Sequence, residues 1–351
     1  MESTSLPGGK APEPPSTKRG SSFWIRRILL WLSVATVALP VTGTAYQAIA
    51  TEMDRRAYPP PGRMVDVGGG YRLHIYCTGE GGPTVILDAL FPGTVSNWAW
   101  VQPEIAKTTR VCAYDRAGLG WSDSGPKPRD AKQHAGELHT LLTRAAIPGP
   151  YVLAGHSLGG LSVRMFADQY PNEVAGMALI EGSDPDAWKH LGKPEGVGVD
   201  RNQLAVAPYL GRLGIFRLGL IPSYAPDPDL PPRQRRELQA FFDSVKSLET
   251  IRAVDASFSV ALDQVRRAGG LGSKPLVIVL GSKGDGSIEA LRDLFVRQAA
   301  LSTNSLTRVI DGATHAGLVD NRSHALQTSA AILQVVQAVR TGQPMVPGRP
   351  R

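Results

Sequence analysis

The ten residues YVLAGHSLGG (151–160) constrain the fold more than any other stretch of this 351-residue chain. An apolar run that reads as a strand passes directly into a serine set among Gly155, Gly159 and Gly160, and then into LGGLSVRMFADQY, which reads as a helix. A serine on so tight a turn adopts strained backbone angles, and side chains on its close neighbours would clash; glycine removes the clash. Strand, Gly155-His156-Ser157-Leu158-Gly159, helix is a nucleophile elbow. It lifts Oγ of Ser157 above the carboxyl edge of a sheet and points the N–H of Leu158 into the same space.

The rest of the chain supplies elements for such a sheet. MVDV and YRLHIYC, separated by Gly68-Gly69-Gly70, read as a hairpin. TVILD (84–88), TRVCAYD (109–115), VAGMALIEG and LVIVLG (276–281) are short apolar runs, the pattern of strands buried on both faces of a parallel sheet. Between them lie helical patterns over 131–146, 287–301 and 323–340, and TRVIDGA adds a strand before the last helix. Strands alternating with helices predict an α/β fold with a mostly parallel sheet and an antiparallel leading edge. About ninety residues between strands 176–180 and 276–280 break the rhythm; they hold the apolar GRLGIFRLGLIPSY (211–224) and a helix near 232–250. They are expected to form an inserted cap.

The N-terminus departs from a plain soluble enzyme. Residues 1–22 are rich in Pro, Gly and Ser and are expected to be a disordered basic tail. From Ile28 to Ala50 there is no charge, a run that reaches roughly 30 Å as a helix, about the thickness of a bilayer's hydrocarbon. Arg26 and Arg27 stand just before it, so its start is expected to stay cytoplasmic. A transmembrane anchor over 23–50 is the first expectation; a signal peptide cleaved after Ala48-Ile49-Ala50 is the alternative. A proline-rich linker (51–62) follows. The expected divisions are an α/β core over 63–182 and 275–345 and a cap over 183–274. Of the net charge of +7, +3 sits in the first 27 residues and the rest is spread thinly, with no basic stripe interleaved with aromatics, so nucleic acid is not an expected partner. Two cysteines are too few for a zinc knot, and no cofactor motif is present.

On GHSLGG, DRAGLGWSD (115–123) and the late Thr314-His315-Ala316, the chain resembles the α/β-hydrolase family over about residues 63–340, most of all bacterial members with an N-terminal membrane segment. The resemblance implies an eight-stranded sheet flanked by helices, a Ser…acid…His order and an oxyanion hole of two backbone N–H groups. A serine hydroxyl needs a base. His74, His134 and His139 lie within strand or helix and read as structural, and His156 is expected to point away from the pocket. His315, in a loop after a late strand, is the expected base, with His324 the alternative. By the resemblance the acid is Asp285, after the strand LVIVL; Glu181, after MALI, is the alternative, and Asp184 a third. The oxyanion donors are expected at Phe91 and Leu158. Leu90 stands where glycine is usual in the family, so its side chain is expected to narrow the acyl site. The hydrolase strand order also makes the strands of Cys77 and Cys112 neighbours, which predicts a disulfide between them.

The leading expectation is a membrane-anchored serine hydrolase that cleaves an ester-like bond of a small-molecule substrate outside the cytoplasm, through an acyl-enzyme. A peptidase, thioesterase or perhydrolase using the same residues is open, as is a non-catalytic binding module on the same fold.

Overall fold

The computed structural model describes residues 8–9, 19–190, 195–283 and 288–345. Eight strands form one sheet: β1 (Arg63–Asp66), β2 (Arg72–Thr78), β3 (Thr84–Asp88), β4 (Val111–Tyr114), β5 (Tyr151–His156), β6 (Val174–Ile180), β7 (Leu276–Gly281) and β8 (Ser305–Ile310). Their order is β1-β2-β4-β3-β5-β6-β7-β8. β2 runs antiparallel to both β1 and β4, and every other pairing is parallel. The expected antiparallel edge and parallel centre are both present.

Alternate side chains of the central strands feed two cores. Ile86, Leu153 and Ile278 join the core beneath helices Ala131–Arg144 and Gly159–Gln169, while Leu87, Val152 and Val279 join the core beneath Val101–Ala106 and Arg322–Thr341. Because both faces are covered, β3, β5 and β7 are buried along their whole length, which is why they read as unbroken apolar runs.

β4 leads into Asp115, whose buried carboxylate accepts the N–H groups of Val95 (2.8 Å) and Trp121 (3.1 Å) and faces His74 Nδ1 at 2.9 Å. This pins the DRAGLGW loop and makes His74 a structural residue, as expected. Cys77 and Cys112 are direct partners in the β2–β4 ladder and form a disulfide.

Two expected boundaries move. The N-terminal helix runs from Arg19 to Ala57, through the first part of the expected linker. Glu52 there pairs with Arg55 and Arg56 one turn on, and Pro59 then disfavours helix at Tyr58. The interval between β6 and β7 holds five helices among the described residues: Ala187–His190, Arg201–Arg212, Pro232–Phe242, Val245–Ala256 and Phe258–Arg266. The last packs on the core helices Ala131–Arg144 and Gly159–Gln169 through fully buried Leu262 and Val265, so the core reaches back into the expected cap. The helix expected near 232–250 is two, broken where Ser244 caps the second.

The helix Ser22–Ala57 is long and apolar enough to cross a membrane, with a mean hydropathy of 1.8 in its most apolar window, none of which is buried by the rest of the protein.

Candidate active site

Ser157 stands at the end of β5 with φ +54°, a left-handed conformation that non-glycine residues rarely adopt and that recurs at functional sites. Its glycines answer to close approach. A Cβ on Gly155 would lie 2.6 Å from the carbonyl oxygen of Gly159, and one on Gly159 would lie 2.3 Å from that of Asp88. The turn closes only because neither side chain exists, and Leu158 then opens the helix Gly159–Gln169.

His315 follows β8, in the loop before the short helix Gly317–Asp320. Its Nδ1 lies 2.6 Å from Oε2 of Glu181, the residue that follows β6. The other carboxylate oxygen of Glu181 accepts the N–H of Gly281, at the end of β7, at 2.7 Å. Glu181 also has a left-handed backbone, φ +36°. A neutral imidazole has one proton; with Nδ1–H donated to Glu181, the lone pair sits on Nε2. No hydrogen bond joins Ser157 Oγ to His315 among the described residues; catalytic contacts of this kind commonly tighten only with substrate bound.

The acid that faces the imidazole is Glu181, the alternative of the sequence reading. Nδ1 has a single proton, and the carboxylate facing it belongs to Glu181. Asp285 lies outside the described residues. Asp184 lines the same cavity but faces Arg297, at 3.7 Å, and not the imidazole.

Ser157, Leu158, Glu181, His315 and Phe91 share the wall of one cavity of about 330 Å³. The backbone N–H groups of Phe91 and Leu158 have no hydrogen-bond acceptor among the described residues. Leu90 does not narrow this space: its side chain is buried in the loop beside Gly93, and Phe91 forms the wall instead.

One residue escaped the sequence reading. His156 does point away from the cavity, but its buried Nε2–H donates to the backbone carbonyl of His315 at 3.0 Å, and the two rings lie 4.8 Å apart. Burial, helped by the nearby His315, holds its pKa well below the usual histidine value, so the ring stays neutral with its one proton on Nε2. It thereby holds the His315 loop. Only the contact across two distant loops reveals this, and no local pattern carries it. Among the described residues, no group of three or more His, Cys, Asp or Glu side chains is arranged to hold a metal ion.

A family model described as alpha/beta hydrolase fold matches residues 83–199. An uncharacterized protein of Schizosaccharomyces pombe is 34% identical over 118 residues, which are 34% of this chain and 21% of that protein. The chain spans about a fifth to a half of the length of the first curated relatives it matches. Among solved structures, an esterase from Thermogutta terrifontis superposes with a TM-score of 0.55 at 21% identity, covering 79% of this chain and 98% of that one. The epoxide hydrolase CorEH does so with a TM-score of 0.55 at 19% identity, covering 77% and 98%. At these identities the likeness shows the fold.

Proposed function

We propose that this chain, which has the α/β-hydrolase fold, is a serine hydrolase that cleaves an ester-like bond, with Ser157, His315 and Glu181 as its triad. The carrying observation is the 2.6 Å Glu181–His315 hydrogen bond in the cavity that also exposes the strained Ser157.

Oγ of Ser157 attacks the substrate carbonyl while Nε2 of His315 takes its proton. The carboxylate of Glu181 keeps the other ring proton on Nδ1 and stabilises the imidazolium that forms. The oxyanion of the tetrahedral intermediate accepts the N–H groups of Phe91 and Leu158. His315 then returns its proton to the leaving alcohol, and the acyl-enzyme remains. A water molecule, deprotonated by the same imidazole, releases the acid and restores Ser157. Nucleophilic serine supports acyl transfer over the epoxide chemistry of some fold neighbours, because displacement at an epoxide by this route needs a carboxylate that forms an ester. Leu90, lying outside the cavity wall, leaves the acyl site unobstructed, which supports a catalytic reading over a non-catalytic binding module.

The helix Ser22–Ala57 is read as a single-pass anchor with Arg26 and Arg27 on the cytoplasmic side, which places the catalytic domain outside. The Cys77–Cys112 disulfide accords with an oxidising compartment. Membranes carrying the full chain test both readings. A fluorophosphonate probe is expected to label the wild type and not Ser157→Ala; labelling of that variant would move the nucleophile elsewhere. In the same membranes, alkylation without reduction is expected to miss both cysteines. Their complete alkylation would overturn the outward orientation.

A further inference from the structure

The cap contains a second cavity, of about 600 Å³, walled by apolar side chains that include Leu204, Ala207, Leu210 and Phe216. That volume lies within the range of small-molecule sites. It shares Phe91 and Val197 with the catalytic cavity, so the two spaces adjoin at these side chains. The walls differ. Asp184 and Gln298 give the catalytic cavity a polar side, whereas the cap cavity is apolar almost throughout.

The cap is tied to the outer end of the anchor helix. A Cβ on Gly43 would lie 2.6 Å from the carbonyl of Leu213, so helix and cap backbones touch there. Nε2 of Gln47 donates to the Asp243 carbonyl at 2.9 Å, and Arg217 pairs with Asp54 at 2.6 Å. A hydrocarbon span of about 20 residues that begins at the first uncharged residue, Ile28, ends near Gln47. The cap segment 213–221 therefore docks at the depth of the membrane surface. In this segment Leu218 and Leu220 are 53% and 67% exposed. Ile221 is exposed as well, and it lines the mouth of the cap cavity. Apolar side chains left uncovered at a bilayer's surface are covered by the bilayer.

We propose that the cap dips into the outer leaflet and that the substrate is a long-chain acyl ester resident in the membrane. Its acyl chain leaves the bilayer beside Leu220 and Ile221, fills the cap cavity and passes Phe91 and Val197, which sets the ester carbonyl over Ser157. The leaving alcohol occupies the polar side of the catalytic cavity. This rests on the serine-hydrolase reading above.

The test uses the full chain reconstituted in phosphatidylcholine vesicles, with 4-nitrophenyl butyrate and 4-nitrophenyl palmitate as the short and long probes. Ala207→Phe fills the cap cavity; Leu220→Lys puts a charge on the exposed position next to Ile221. Losing room for as few as two methylenes is expected to cut palmitate turnover by Ala207→Phe about 10-fold, while butyrate turnover stays within about 2-fold. Leu220→Lys is expected to lower palmitate turnover about 3-fold with butyrate unchanged. Butyrate turnover doubles as the check on folding, and the exposed Leu220 site guards against a misfolded Ala207 variant. If the wild type cleaves butyrate but both variants leave the palmitate-to-butyrate ratio unchanged, the acyl route is overturned and the serine-hydrolase reading stands. If the wild type cleaves neither ester and takes no fluorophosphonate, that reading fails and this one with it.

Discussion

The carboxyl ends of β5 and β6 lie side by side and carry the same oddity. Each strand runs straight into a polar residue with a left-handed backbone, Ser157 at φ +54° and Glu181 at φ +36°. Their surroundings differ. At the end of β5 the turn is crowded from three sides: a Cβ on Gly155 would lie within 3.0 Å of the helix backbone, one on Gly159 within 3.0 Å of Asp88, and one on Gly160 within 3.0 Å of Gly182. At the end of β6 the fit is less severe, and a Cβ on Gly182 would meet nothing nearer than the Leu179 side chain, at 3.2 Å. Severe crowding leaves a mark in sequence, because only glycine fits; a strained turn with less severe crowding leaves almost none. The proposed nucleophile is therefore legible as a motif, while the acid proposed beside it is not.

The largest expected effects test whether the two ends belong to one machine. Ser157→Ala is expected to lower turnover by about 10⁶-fold. Glu181→Gln is expected to cost about 10³- to 10⁴-fold, because the amide presents an N–H to Nδ1 and drives the imidazole to the wrong tautomer. Asp285→Asn, by contrast, is expected to change turnover by no more than a few-fold. Steady-state hydrolysis of one soluble ester by the three variants decides it. A larger loss at Asp285 than at Glu181 would break the pairing of the two strand ends.

How much could be read in advance follows from the same contrast. Parallel strands covered on both faces must be apolar along their length, so β3, β5, β6 and β7 stand out, and the glycines single out Ser157. His315 is recoverable from chain order, since it follows the last strand. Choosing between Asp285 and Glu181 is a different matter. Both follow an apolar strand, and the choice rests on which strand end meets the His315 loop, a property of the sheet and not of either segment. The cap was opaque for a related reason: its apolar residues serve two cavities and an exposed face at once, so no single period runs through them. The overrun of the N-terminal helix to Ala57 turns on Glu52–Arg55 and Glu52–Arg56 pairs that read equally well as a polar linker.

A smaller effect measures the crowding at β5 directly. In Gly159→Ala the new methyl would lie 2.3 Å from the Asp88 carbonyl. Asp88 cannot retreat, because Tyr114 O–H donates to its carboxylate at 2.8 Å and Arg116 pairs with it in the core. Alanine is the better helix former, but here backbone must move. A loss of about 2–3 kcal/mol is expected, seen as a lower thermal midpoint together with lower turnover. Unchanged stability would mean the elbow is looser than its geometry implies.

The smallest expected effect is at β6. Gly182 has no left-handed backbone, so alanine there carries no conformational penalty. Its methyl would meet the Leu179 side chain at 3.2 Å and the Gly160 backbone only at 3.5 Å. Leu179 is packed in the core, so a shift of a few tenths of an ångström is needed, and a cost below about 1 kcal/mol follows. That corresponds to a fall of no more than about 2–4 °C in Tm, measured in the same detergent as the Gly159 variant. The mirror change, Gly160→Ala, aims a methyl at the Gly182 backbone, 2.7 Å away, and is expected to cost more than Gly182→Ala although the two glycines face each other. Equal costs would show that the interface between the strand ends yields symmetrically. The asymmetry would then lie in the sequence alone, and the reason offered for why one strand end is legible and the other is not would be lost.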